Sequence, residues 1–278
     1  MLNALIASFG YAGGIIADKI VLSKKRVPLL RFIPLLFIFL ALFTALLLFK
    51  WGEIDWGNFI SSKYLLLTLL MTIVAVTWNI FYYRGLQQEE IHEFELIMLL
   101  SPLATIVFAE IFIPGERNWP TFIAGIIASA ALIATRFRRH HVKISRVAWQ
   151  TIAAMLLMSF ESIIIKELLH VLSPVSLYFM RTTIIALVFV LAYKPKLLDV
   201  SRSALALTAL SAVFGVVQMV LKFYGFESLG VIETTMILVL GPFLVYFISL
   251  FMFKEKVFKR DIFAFVVLVS CILFVTLK

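Results

Sequence analysis

Residues 84–117 read RGLQQEEIHEFELIMLLSPLATIVFAEIFIPGER, and the pattern returns 140 positions later, in residues 224–256, as YGFESLGVIETTMILVLGPFLVYFISLFMFKEK. With no gap as far as the proline, Gly85 meets Gly225, Glu93 meets Glu233, Ile97 meets Ile237, Leu100 meets Leu240 and Pro102 meets Pro242. A slip of one residue then brings Glu116 to Glu255. Recurrence at half the chain length marks an internal duplication. The chain therefore divides into two homologous units, 1–141 and 142–278.

Of the 278 residues, 63% are hydrophobic and 15% charged, more apolar surface than a soluble core of this size can hide. The apolar residues fall into runs of about 20, each long enough to cross a hydrocarbon layer of roughly 30 Å as a helix. Ten such runs lie near 2–22, 29–49, 63–83, 91–113, 119–135, 147–169, 175–193, 203–223, 231–253 and 261–277. The expected fold is all-α and membrane-integral, with ten transmembrane helices, five per unit. No cleavable leader is expected, because the first run begins at Leu2 without a basic leader and continues into further spans. The single Cys271 lies inside an apolar run, so it forms no disulfide framework and is expected to pack as a small hydrophobe.

A net charge of +9 raises the question of nucleic acid, and the placement of the cations answers it. Seventeen lie in one set of loops, around Lys24–Arg31, Arg84, Arg136–Arg146, Lys194–Arg202 and Lys254–Arg260. The opposite face, with both termini, carries only Lys50, Lys63, Arg117 and Lys278. This asymmetry is the positive-inside signature of a multi-pass protein and places both termini outside the cell. Nucleic-acid binding is not expected. Adjacent His140 and His141 have no acid or thiol nearby in sequence, so no metal and no cofactor are expected.

Along the chain, a few polar positions stand out against the apolar background. Span 1 carries Gly10, Gly13 and Gly14, which allow a close helix neighbour, and ends in Asp18 and Lys19, read as interfacial. Span 3 ends in TWNIFYYRG, clustering Trp78, Asn79, Tyr82 and Tyr83; the aligned end of span 8, VVQMVLKFYG, offers Gln218 and Lys222. An asparagine facing lipid would leave polar groups unpaired, so these residues should face protein or a water-filled space. Four of them, Asn79, Tyr82, Gln218 and Lys222, are expected near opposite membrane faces, lining two vestibules. Glu89, Glu90, Glu93 and Glu95 open helix 4, where acids complement the helix dipole. Only Glu93 has a duplicate, Glu233. Pro102 and Pro242 sit in mid-span and should kink helices 4 and 9. Glu161 is the most deeply placed acid, with Ser162 and Lys166 close by on the same span. It is either an ion-coupling carboxylate or half of an internal pair with Lys166 or Arg181.

Ten spans in two five-helix units, a small residue and proline in the fourth helix of each (Ser101–Pro102, Gly241–Pro242), and a glutamate 13 or 14 residues further on resemble the drug/metabolite transporter superfamily, in particular its EamA-type members. The resemblance covers the whole chain. It implies inverted repeats, because five spans per unit bring the second unit in from the other side, and a central cavity between helices 1–4 and 6–9 with alternating access. The residues expected to line that cavity are Tyr11, Trp78, Asn79, Tyr82, Ser101, Glu161, Ser162, Lys166, Gln218 and Lys222, with Glu161, Glu93 and Glu233 as ion-coupling sites. The usual Leu-Gly-Glu ends of helices 4 and 9 are here Pro114–Gly115–Glu116 and Phe253–Lys254–Glu255.

The function expected is secondary transport, directed outward, of a small metabolite or amphipathic compound across the cell (inner) membrane, with a proton as candidate coupling ion and the chain acting as monomer or homodimer. A lipid flippase of the same fold is the main alternative. A membrane-embedded enzyme is the third reading and lacks support, because no HxxxH, DxxxD or Gly-x-Ser-x-Gly constellation is present. The absence of a phosphate-binding loop argues against a primary pump.

Overall fold

The computed structural model describes residues 1–89, 94, 97, 98, 100–116, 119–136, 146–196, 199–242, 244, 245, 248, 266, 267, 270, 271 and 274. Its helices are α1 (Leu2–Lys19, continued by a π turn over Ile20–Lys24), α2 (Leu29–Trp51), α3 (Trp56–Phe59), α4 (Ser62–Gln88), α5 (Ser101–Phe112), α6 (Trp119–Arg136), α7 (Arg146–Leu168), α8 (Pro174–Tyr193), α9 (Arg202–Ser228) and α10 (Val231–Leu238).

Six of these are long and apolar enough to cross a membrane: α1 with its π turn, α2, α4, α7, α8 and α9. Where the fourth and ninth of the ten expected spans should run, the described residues form shorter apolar helices, Ser101–Phe112 and Val231–Pro242. Proline explains both interruptions, because its nitrogen cannot donate to the carbonyl four residues back. The turns fall at Leu100, two residues before Pro102, and at Val239, three before Pro242. Most of the expected tenth span lies outside the described residues.

Each long helix is apolar on its outer side. On α4, Leu65, Leu66, Leu69 and Ile73 are exposed, while Met71, Ala75, Trp78, Asn79 and Tyr82 are buried. Exposed Leu42, Leu46 and Phe49 on α2, and Leu187 and Leu191 on α8, extend the same belt. A surface of that kind is stable against hydrocarbon and costly against water. Most buried hydroxyls bond back one turn, as Thr44 does to Leu40 O at 2.6 Å and Thr182 to Tyr178 O at 2.8 Å. Such hydroxyls are satisfied inside their own helix and carry no site.

The two halves interleave rather than sit side by side. Helix α1 packs along α9 and α4 along α7, while α2 packs on α8 and α5 on α10. Exchanging α1, α2, α4 and α5 with α7, α8, α9 and α10 turns the first contact into the second and each of the last two into itself. At one end, loop backbone joins the halves through Asp55 N to Val171 O at 2.9 Å and Ser173 N to Glu53 O at 3.0 Å. At the other end, Arg31 meets Asp199 at 3.4 Å.

Close approach of α1 and α9 depends on Gly10, where a Cβ would stand 2.9 Å from both Gln218 N and Phe214 O. Backbone cannot yield as a side-chain tip can. Gly10→Ala is expected to cost about 1–3 kcal/mol by overpacking, visible as a lowered unfolding midpoint in detergent. At Gly14 a Cβ would meet only Phe214 Cβ at 3.8 Å, so Gly14→Ala should show no such loss.

Candidate functional site

At the centre of the site is a buried carboxylate with both oxygens engaged. Glu161 on α7 is 1% exposed and Arg181 on α8 is 3% exposed. Arg181 Nε donates to Glu161 Oε1 at 2.7 Å and its second amino group donates to Oε2 at 3.2 Å. Trp78 Nε1, from α4, donates to the same Oε2 at 2.7 Å. The guanidinium also lies over the Trp78 ring, 5.6 Å from its centre. Of the two partners open to Glu161 from sequence, the fold selects Arg181, because Pro174 starts α8 so that Arg181 falls two turns in, facing α7. Lys166 instead points to the end of α9 and donates to Phe226 O at 2.6 Å.

Around this group lies a cavity of about 150 Å³, of the size that holds a small organic molecule. Four helices of each half line it. Tyr11, Trp78, Asn79, Tyr82, Ser101, Glu161, Gln218 and Lys222 are in its wall, as are Pro102 and Pro242. Ser162 and Lys166 are not among its lining residues; buried Ser162 instead accepts a hydrogen bond from Lys222 Nζ at 3.3 Å. Asn79 gives its amide to Ala75 O at 2.8 Å. Ser101 approaches Ser159, whose hydroxyl donates to Ser101 O at 3.1 Å across the α5–α7 contact.

Two expectations change. Asn79, Tyr82, Gln218 and Lys222 line one cavity rather than two vestibules, because α4 and α9 continue to Gln88 and Ser228, past the ends assigned from hydropathy. Those four residues therefore lie turns inside each helix. Glu233 stands outside the cavity, half-buried in the first turn of α10, where an acid complements the helix dipole. Its duplicate Glu93 lies outside the described residues.

The model of the EamA-like transporter family matches this chain over residues 1–137 and 146–277. The chain belongs to that family. It is thus an all-helical, multi-pass membrane protein of a transporter family. A comparison with curated proteins finds no match. Among solved structures, one described only as a crystal structure of a protein superposes with a TM-score of 0.74, covering 99% of this chain and 96% of its own, at 14% identity. That likeness is one of fold.

In this EamA-like chain the sequence reading passed over two cavity groups. Asp18, read as interfacial, is 6% exposed, lines the cavity and accepts a hydrogen bond from the buried Ser211 hydroxyl. The signal was present in the spacing of Tyr11, Gly14, Ile15 and Asp18, which is one helical face. Thr235 lines the cavity with a buried hydroxyl that has no partner among the described residues. Nothing in the local sequence distinguishes it from Thr234, its equally buried neighbour.

Removing one member of the Glu161–Arg181 pair leaves a buried charge alone. Glu161→Leu is expected to lower stability by about 3–5 kcal/mol. The double substitution Glu161→Leu, Arg181→Met, which removes both charges, should recover most of that loss in the same unfolding measurement.

Proposed function

We propose that this EamA-like protein is a secondary transporter that moves a small metabolite or amphipathic compound out of the cell by alternating access. The observation that carries the reading is the cavity: a largely apolar, aromatic chamber studded with buried polar and charged groups, at the seam of two interleaved halves, inside a protein whose outer surface is apolar. Secondary transporters hold solute near the bilayer midplane, between repeats and beside broken helices. The breaks at Leu100 and Val239 support that plan.

The exchange of helix contacts between halves supports reading 1–141 and 142–278 as inverted repeats. The cation asymmetry supports termini outside the cell. Two lysine ties supply the gates. Lys19 Nζ donates to Leu86 O at 2.7 Å and Glu89 O at 2.6 Å, at the end of α4. Lys166 Nζ donates to Phe226 O, at the end of α9. Leu86 and Phe226 are the same position in the two copies. Each tie joins the α1–α9 pair to the α4–α7 pair, and the two ties stand at opposite ends of the helices. Releasing one while keeping the other would open the cavity to one side.

Of the coupling candidates Glu161, Glu93 and Glu233, Glu161 lies in the cavity wall, and its engagement by Arg181 and Trp78 means a proton could enter only by disturbing that cluster. Uptake of candidate solutes into proteoliposomes under an imposed pH gradient tests the reading, with lipid scrambling followed in the same vesicles. Accumulation without scrambling is expected. Scrambling without accumulation would replace the transporter by a flippase, and unchanged pH dependence in Glu161→Gln would remove Glu161 from coupling. For the gates, a Gln218→Cys reporter on a Cys271→Ala background should gain labelling by an impermeant thiol reagent from the cytoplasmic side in Lys19→Met and from the outer side in Lys166→Met. A charge-assisted hydrogen bond contributes about 1.5–3 kcal/mol, so each change should exceed tenfold. Identical labelling in all three proteins would sink the gate assignment.

A further inference from the structure

Among the described residues the cavity wall holds four charged side chains, and two of them, Glu161 and Arg181, pair with each other. Lys222 has the Ser162 hydroxyl at 3.3 Å. Asp18 has the Ser211 hydroxyl and, among the described residues, no cation within ion-pair distance. Its neighbour Lys19 points away, to the carbonyls at the end of α4. Ser211 and Lys222 are about 16 Å apart along α9 at 1.5 Å per residue, too far for Asp18 and Lys222 to neutralise one another.

A carboxylate buried in a membrane-spanning helix is costly as the anion unless a cation or a proton accompanies it, and one hydroxyl does not offset that cost. The missing charge can come from a bound solute. The surroundings select its kind. Tyr11, Tyr82 and Tyr83 line the same cavity, and aromatic π-faces attract weakly hydrated organic cations. One carboxylate and one hydroxyl fall short of the oxygen shell a divalent cation requires, and the described residues contain no cluster of three metal-ligating side chains. Gly14, one turn before Asp18, leaves room beside it, since a Cβ there would touch only Phe214 Cβ.

We infer that Asp18, held by Ser211 and flanked by the cavity tyrosines, is the subsite for the ammonium group of a cationic organic solute. The inference rests on the reading of the cavity as the solute chamber. Its test uses the purified full chain in detergent and three probes: phenethylammonium, its neutral counterpart 2-phenylethanol, and sodium ion. Binding to the folded state raises the unfolding midpoint by mass action. Phenethylammonium should raise it saturably, the other two should not, and Asp18→Asn should weaken the effect at least tenfold while Asp18→Glu retains it. If Asp18→Asn fails to fold, Gly14→Leu, which fills the space beside the carboxylate and keeps its charge, should give the same loss. An equal response to 2-phenylethanol or to sodium, no response to phenethylammonium, or a loss below tenfold would overturn the assignment. Proteoliposome flux separates the two readings. Saturable binding that needs Asp18 but leads to no transport supports the subsite and removes the transporter, whereas amine transport indifferent to Asp18→Asn removes the subsite alone.

Discussion

Everything in this molecule follows from having hydrocarbon where a soluble protein has water. Polar groups cannot turn outward in mid-span without cost, so most are satisfied within their own helix or turned to the seam between the halves. The buried hydroxyls of Thr44 and Thr182 take the first route. Glu161, Arg181 and Trp78 take the second and meet where α4, α7 and α8 converge. The chemistry of the cavity is thus what the outer surface could not accept.

The seam is dictated by size as well as polarity. Without a hydrophobic force between helices in lipid, association depends on close packing, which small residues permit. Gly10 lets the α1 backbone touch that of α9, and Gly85 brings α4 against Thr151 of α7. Both contacts run between halves. Interleaving therefore builds two cross-half pairs, α1–α9 and α4–α7, whose inner faces become opposing walls of one chamber.

Much of this was legible in the sequence. The duplication, the membrane class and the proline interruptions each rest on a strong local signal, and the lining of the cavity by Trp78, Gln218 and Glu161 follows from polar residues in apolar runs. What escaped depended on where helices end. Hydropathy closes span 1 near residue 22 and makes Asp18 look interfacial, yet the helix continues through a π turn to Lys24 and carries Asp18 inward. In the same way α4 and α9 outrun their apolar cores, which moves Tyr82 and Lys222 away from the mouths. The choice of Arg181 over Lys166 was a tertiary matter. Both were reachable from Glu161 in sequence, and only the packing of α8 against α2, α9 and α4, which brings Arg181 to Glu161, decides between them.

The two cross-half pairs also suggest why the ties are lysines at helix ends. Backbone contact at Gly10 resists shear, so α1 and α9 should move as one body, and the seam opposite them is where rearrangement is cheap. In the alternating-access cycle proposed above, a tie across that seam must be strong enough to hold and simple enough to release. The last carbonyls of α4 and α9 lack intrahelical donors and carry the negative end of the helix dipole, so an ammonium is favoured there. When it leaves, those carbonyls can turn to water at the membrane surface, and the lysine can snorkel to the same surface. Neither group is stranded in hydrocarbon.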